Sequence, residues 1–186
     1  MVNVSREVKR ERYSIEHVIA GIKKFMGHLK DAIKYLENLK EIEMLPDSKI
    51  DPMKYKRPRT QNLRASVHHL TKAKQIEIMI EIYDRVLKRS SNQLIQVFKA
   101  TGHNDKEFQL AILMDCEVLI TFLGNMNTLL EKAIAKLESF QETSMIDIGQ
   151  LNNIINDLND RYNHCDKYLK SFNYVLRVEN AYLRRR

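Results

Sequence analysis

The chain contains 186 residues, of which 44% are hydrophobic and 30% are charged, and its formal net charge is +7 at pH 7. A chain of this size can bury a full hydrophobic core and most economically forms one domain. Five glycines and three prolines are few for this length, and apolar residues recur at helical rather than strand spacing. The sequence therefore predicts an all-α protein, and no run in it suggests a sheet.

The first 13 residues form a charged extension without the apolar segment of a secretory signal. The longest apolar stretch, residues 111–123, is interrupted by Asp115 and Glu117 and is too short to cross a bilayer. We therefore expect an intracellular protein, located in the cytoplasm or the nucleus.

The first predicted helix covers residues 14–45, where apolar side chains repeat every three or four positions. Pro46 ends this helix because proline cannot supply a helical N–H. Pro52 and Pro58 follow within the same short window. Residues 46–59 are therefore predicted to form an exposed loop, and this loop is rich in lysine and arginine.

The second predicted helix covers residues 60–101. Gly102 is suited to the position just after a helix, where the backbone angle φ is positive. The polar patch Ser90–Asn92 could divide this segment into two helices. We predict one continuous helix and leave the division open.

Two more helices complete the pattern. The third covers residues 104–142, and Asn104 with Glu107 forms a variant of the capping box at its start. The fourth covers residues 147–183, and its third helical position is occupied by Gln150. Both carry apolar side chains along one face.

The lengths of the connections and the breadth of the apolar stripes favour one arrangement of the predicted helices. Two of the three connections are short, which makes successive helices antiparallel. The broad apolar stripes suit a bundle better than a two-stranded coiled coil. We predict an elongated up-down-up-down antiparallel four-helix bundle, formed as a single domain by residues 14–186. A long-helix dimeric three-helix module is the alternative.

No catalytic, cofactor-binding or zinc-binding motif stands out. None of the six histidines has a glutamate three positions earlier, as a di-iron bundle requires. His68 and His69 are adjacent and point in different directions on a helix, which disfavours shared ligation of one ion. Cys116 and Cys165 fall on predicted apolar faces and are expected to be buried, reduced thiols. We predict no enzyme activity, no cofactor and no metal.

One enzymatic alternative concerns the spacing of arginine and histidine. The bundle-shaped ribonucleases of the HEPN class use an arginine followed by a histidine after four to six residues. Arg64 with His69 meets this spacing, as do Arg10 and Arg12 with His17. The chain is so rich in arginine that chance predicts such matches, so a HEPN-like ribonuclease is the least favoured hypothesis.

Charge is a stronger signal than any motif. Three basic clusters stand out, and they are Lys9, Arg10 and Arg12; Lys54, Lys56, Arg57 and Arg59, with Tyr55 among them; and Arg184, Arg185 and Arg186. The cluster in the proline window is the preferred contact site, because Pro58 is expected to keep the chain extended and exposed. It also fits the short basic pattern that nuclear import receptors recognise.

The main functional hypothesis is a non-enzymatic interaction module, an adaptor or scaffold subunit of a larger intracellular assembly. It would contact protein partners through its helix faces and the basic loop. Apolar side chains outside the main stripes favour this hypothesis, among them Tyr35, Ile78, Ile82 and Tyr174. The alternative is binding of nucleic acid or an anionic membrane surface through the basic clusters. The sequence predicts no transmembrane segment and leaves a homodimer open.

Overall fold

The computed structural model describes residues 4–46, 51, 53–76 and 125–184. It also describes eight separate positions, which are residues 107, 110, 111, 114, 115, 118, 121 and 122. Side chains are described from Ile19 to Arg177 within these ranges, except at 172, 175 and 176. The possible helix break at Ser90–Asn92, the cap at Asn104 and the thiol of Cys116 lie outside the described residues.

The described chain is helical, and the prediction of an all-α four-helix bundle is confirmed. Helix α1 spans Val4–Glu43, α2 is described over residues 53–76, α3 spans Met126–Thr143 and α4 spans Ile148–Arg184. The eight separate positions between 107 and 122 are helical as well. None of the described helices combines the length and the hydropathy that a bilayer-spanning segment needs.

The chain divides into two compact units. The first unit comprises Met1–Lys23, Glu77–Gly124 and His164–Arg186, and the second comprises Lys24–Ile76 and Asn125–Asn163. Each unit is described by itself below. The single domain predicted over residues 14–186 stays a prediction.

The second unit contains a segment of each of the four helices. Glu43 pairs with Arg59, while Tyr35 stacks on His69, so α1 and α2 run antiparallel. Lys74 of α2 forms an ion pair of 2.6 Å with Glu131 near the start of α3. Segments from all four helices can therefore enclose one core, as a bundle requires.

Helix α1 starts earlier than predicted. The sequence predicts a start near Ser14 with solvated turns before it, whereas the backbone is helical from Val4. The helix ends at Glu43, ahead of Pro46, because the residue before a proline is disfavoured in the helical conformation. The backbone N–H of Met44 still donates to the carbonyl of Lys40 at 3.0 Å, which closes the last turn.

Helix α2 begins at Met53 rather than at Thr60. The prediction of a loop over residues 46–59 is therefore wrong for residues 53–59. The side chain of Asp51 caps this helix, accepting a hydrogen bond of 3.0 Å from the backbone N–H of Met53. Pro58 lies in the second turn of the helix. A proline there cannot donate a backbone hydrogen bond, although its fixed φ angle suits a helix.

The third predicted helix is interrupted. Residues 104–142 were expected to form one helix, but the backbone makes a turn at Asn125 and α3 begins at Met126. Gly124 and Asn125 are a pair of residue types that favours turns, so the signal was present in the sequence. At the other end, Ser144 adopts a left-handed conformation with φ of 55°, which stops α3.

Helix α4 starts where the sequence predicts. The carboxylate of Asp147 accepts a hydrogen bond of 3.0 Å from the backbone N–H of Gln150, the third helical residue. This is the bond that an N-cap residue makes. The carbonyl of Asp147 accepts a second bond from Leu151 at 2.9 Å.

The core of the second unit consists of apolar side chains spaced three or four residues apart along each helix. The fully buried members include Phe25, Leu29, Leu36 and Leu39 of α1, Leu70 and Ala73 of α2, Leu130 and Leu137 of α3, and Leu151 and Leu158 of α4. Ser66 is buried among them, and its hydroxyl donates to the carbonyl of Leu63 at 2.8 Å. The buried hydroxyl of Ser66 is therefore satisfied within its own helix.

In the first unit, two contacts join the positions around 115–122 to α4. The hydroxyl of Ser171 donates to the carboxylate of Asp115 at 2.7 Å. The rings of Phe122 and His164 stack with centroids 5.4 Å apart. Cys165 is buried beside these contacts, as the sequence predicts.

Gly27 lies on the exposed side of α1, and replacing it with alanine is expected to stabilise the protein. A methyl group there would meet no atom within 4 Å. Alanine loses less backbone entropy than glycine on entering a helix, so the free energy of unfolding should rise by about 1 kcal/mol. Chemical denaturation measures the gain.

Gly149 provides the control for this change. A methyl group at Gly149 would lie 3.2 Å from the Asp147 oxygen that caps α4, so Gly149→Ala should give a smaller gain or none. Equal gains at the two glycines would contradict the explanation.

Candidate functional site

The candidate site is built on the first two turns of α2, which carry the basic cluster from the proline window. Lys54, Lys56 and Arg57 are exposed, whereas Tyr55 and Arg59 are partly buried. All five residues were predicted as contact residues in an extended loop. The helical start brings them onto one rigid element, and we call this cluster the basic turn.

Tyr55, Arg59 and Leu63 are four residues apart and lie on the same side of α2. That side faces a cavity of about 360 Å³, which lies within the second unit and opens to the surface. Its walls also include Ile42 of α1 and Phe140 of α3. The cavity thus has an apolar floor and lies directly beside the exposed cations.

One ion pair links α1 to α2 beside the cavity. The guanidinium Nε of Arg59 is 2.7 Å from Oε1 of Glu43, and a terminal nitrogen of the same group lies 3.4 Å from Oε2. Burial raises the pKa of Glu43, and the positive charge of Arg59 opposes that rise. The two-point contact holds the start of α2 against the end of α1.

The Glu43–Arg59 pair predicts an asymmetric response to substitution. Arg59→Met leaves a poorly hydrated carboxylate without its partner and is expected to lower the free energy of unfolding by about 1–2 kcal/mol. Glu43→Gln should cost less, because the amide is neutral and the partly exposed guanidinium can still be hydrated. Urea denaturation of both single variants and the double variant measures the difference. Equal losses in the two single variants would contradict this account.

The electrostatic field of the basic turn is positive. Lys56 and Arg57 have no carboxylate within ion-pair distance among the described residues, whereas Arg59 is held by Glu43. The ammonium of Lys54 lies 5.8 Å from the centre of the Tyr55 ring, a cation–π contact that still leaves it exposed. The positive end of the α2 dipole adds to these charges.

The other two predicted clusters are not brought into this site. Lys9, Arg10 and Arg12 lie within α1, and their side chains lie outside the described residues. Arg184 is the last residue of α4, while Arg185 and Arg186 lie outside the described chain.

Sequence reasoning missed a contact between two histidines. Nδ1 of His28 on α1 lies 3.1 Å from Nδ1 of His69 on α2, and the ring of Tyr35 stacks on His69 at 5.7 Å. Tyr35 had been expected to be an exposed surplus side chain, but it is partly buried. Residues 28 and 69 are 41 positions apart, so no local pattern could have joined them.

The arginine and histidine of the ribonuclease-type spacing lie on different sides of α2. Five residues along a helix rotate the side chain by about 140° around the axis. Arg64 is exposed, whereas His69 contacts His28 and Tyr35. No group of three or more histidine, cysteine or acidic side chains within the described ranges is arranged to hold a metal ion.

Comparison with known proteins finds no matching family model, no similar curated protein and no similar solved structure.

Proposed function

We propose that the protein is a non-enzymatic interaction module that binds an acidic segment of a protein partner at the basic turn. The observation that supports the proposal is that three exposed cations on one helix lie next to an apolar cavity. Such a surface offers charge attraction and an apolar anchor point together. The protein would act as an adaptor or subunit of a larger intracellular assembly.

Charge complementarity identifies the chemistry of the partner. Lys54, Lys56 and Arg57 attract carboxylates or phosphates, while the cavity between Tyr55 and Phe140 suits an aliphatic or aromatic side chain. An acidic peptide that contains one large apolar residue meets both requirements. Nucleic acid or an anionic membrane would satisfy the charges, but neither needs an apolar side chain in the cavity in order to bind.

The direct test measures binding of three fluorescent probes to the full chain at low salt. The first is an acidic peptide with a central leucine or phenylalanine, the second is single-stranded RNA, and the third is a vesicle that contains phosphatidylserine. Tighter binding of the peptide, weakened when its apolar residue is replaced by serine, would support the proposal.

Two results would contradict the proposal. Binding of RNA or vesicles without binding of the peptide would favour the alternative function of a phosphate-binding protein. Peptide binding that does not depend on the apolar residue would show that the cavity takes no part. Raising the salt concentration should weaken every charge-dependent complex, so the comparison is made at one ionic strength.

A further inference from the structure

The contact between His28 and His69 constrains where protons can lie. Their Nδ1 atoms are 3.1 Å apart, which is a hydrogen-bonding distance. One nitrogen must therefore carry the hydrogen while the other presents a lone pair. The pair can hold a single additional proton and keep the bond, but it cannot hold two.

Charged groups surround the pair. The carboxylate of Asp31 lies 3.8 Å from Nδ1 of His69. Burial is the largest obstacle to a positive charge on His28, followed by the charges of His69, Lys24 and His68. These causes lower the pKa of His28, while Asp31 acts in the opposite direction.

Two elements meet at this contact. His28 belongs to α1 and His69 belongs to α2, and both are partly buried. Tyr35 covers one face of the His69 ring, and His68 approaches its edge at 5.5 Å. A second proton would put two N–H groups and two positive charges against each other in a space that is only partly open to water.

We propose that His28 and His69 form a pH-responsive contact, which stabilises the packing of α1 against α2 while the pair carries at most one added proton and breaks when both rings are charged. The histidine side chain suits this role, because its unperturbed titration falls near neutral pH. Loss of this contact would loosen the bundle in an acidic compartment or at an acidic surface.

The direction of the stability change follows from the lowered pKa of His28. The unfolded chain binds a proton at His28 near the ordinary value of 6.5, whereas the folded chain binds it only at lower pH. Folding therefore excludes a proton in this interval, and stability falls as the pH drops below about 6.5. The stability that the neutral His28 contributes is therefore fully present above that pH and is lost as the pH falls.

The experiment compares unfolding of the wild-type chain and His28→Gln between pH 7.5 and pH 5. Glutamine can still hydrogen-bond to His69 but does not gain a charge. The equilibrium constant for unfolding should increase at least about threefold more in the wild-type chain than in His28→Gln. His68→Gln is the control, since His68 is exposed and does not share the bond; its charge is the smallest of those that lower the pKa of His28, so most of the wild-type pH dependence should remain.

Nuclear magnetic resonance of the histidine rings gives a second measurement on the wild-type chain. The titration midpoint of the His28 ring should lie below the ordinary value of 6.5, because burial and nearby positive charges lower its pKa. The proposal is overturned if His28 titrates with the ordinary midpoint or if wild-type and His28→Gln proteins lose stability equally in acid. If His28→Gln does not fold, the ring titration alone decides the question.

Discussion

Replacing Leu36 with alanine is expected to lower the free energy of unfolding by about 2–5 kcal/mol. Leu36 is fully buried on α1 in the core of the second unit. The substitution removes apolar contacts and leaves a cavity that rigid neighbouring helices cannot fill completely. Urea denaturation followed by circular dichroism measures the loss.

The matched control is Met145→Ala in the segment between α3 and α4. Met145 is 76% exposed, so its truncation should change the free energy of unfolding by less than about 0.5 kcal/mol. A loss at Leu36 no larger than the loss at Met145 would contradict the placement of Leu36 in a packed core. The comparison tests the bundle itself, independently of any function.

Reversing the charge of the basic turn is expected to have the largest effect on binding. In the variant Lys54→Glu/Lys56→Glu/Arg57→Glu, affinity for the acidic peptide probe should fall by about 100-fold at low salt, because attraction becomes repulsion. The fold should be retained, since all three side chains are exposed. Fluorescence anisotropy measures the affinity and circular dichroism checks the helix content.

The control for this variant changes the same number of charges elsewhere in the second unit. Lys30, Lys34 and Lys132 are exposed and lie outside the cavity walls beside the basic turn. Reversing them changes the net charge equally but should weaken peptide binding far less. Similar losses in both variants would show that the peptide responds to overall charge, and the basic turn would then have no special role.

The outcome at the helix ends shows what local sequence signals can predict. Asp147 and Gln150 predicted the start of α4 correctly, because an N-cap bond joins residues only three positions apart. The start of α2 was predicted too late, because Pro58 was expected to keep the chain extended and the capping bond at Asp51 was not anticipated. A proline disfavours a helix and a capping residue favours one, and the sequence alone does not show which of the two effects is larger here.

The candidate site was only partly predictable. The basic residues were visible in the sequence, but their arrangement depends on the early start of α2. The cavity requires Ile42, Leu63 and Phe140 to approach one another from three helices. No local pattern indicates that approach, since it depends on how the helices are packed.

The sequence by itself determined the helical class, the apolar stripes and the excess of basic charge, because these follow from composition and from a periodicity of 3.6 residues. Tertiary structure alone decided that Glu43 meets Arg59 and that His28 meets His69. These partners lie 16 and 41 residues apart along the chain. The register between antiparallel helices sets such pairs, and that register results from packing of the whole core rather than from any short segment.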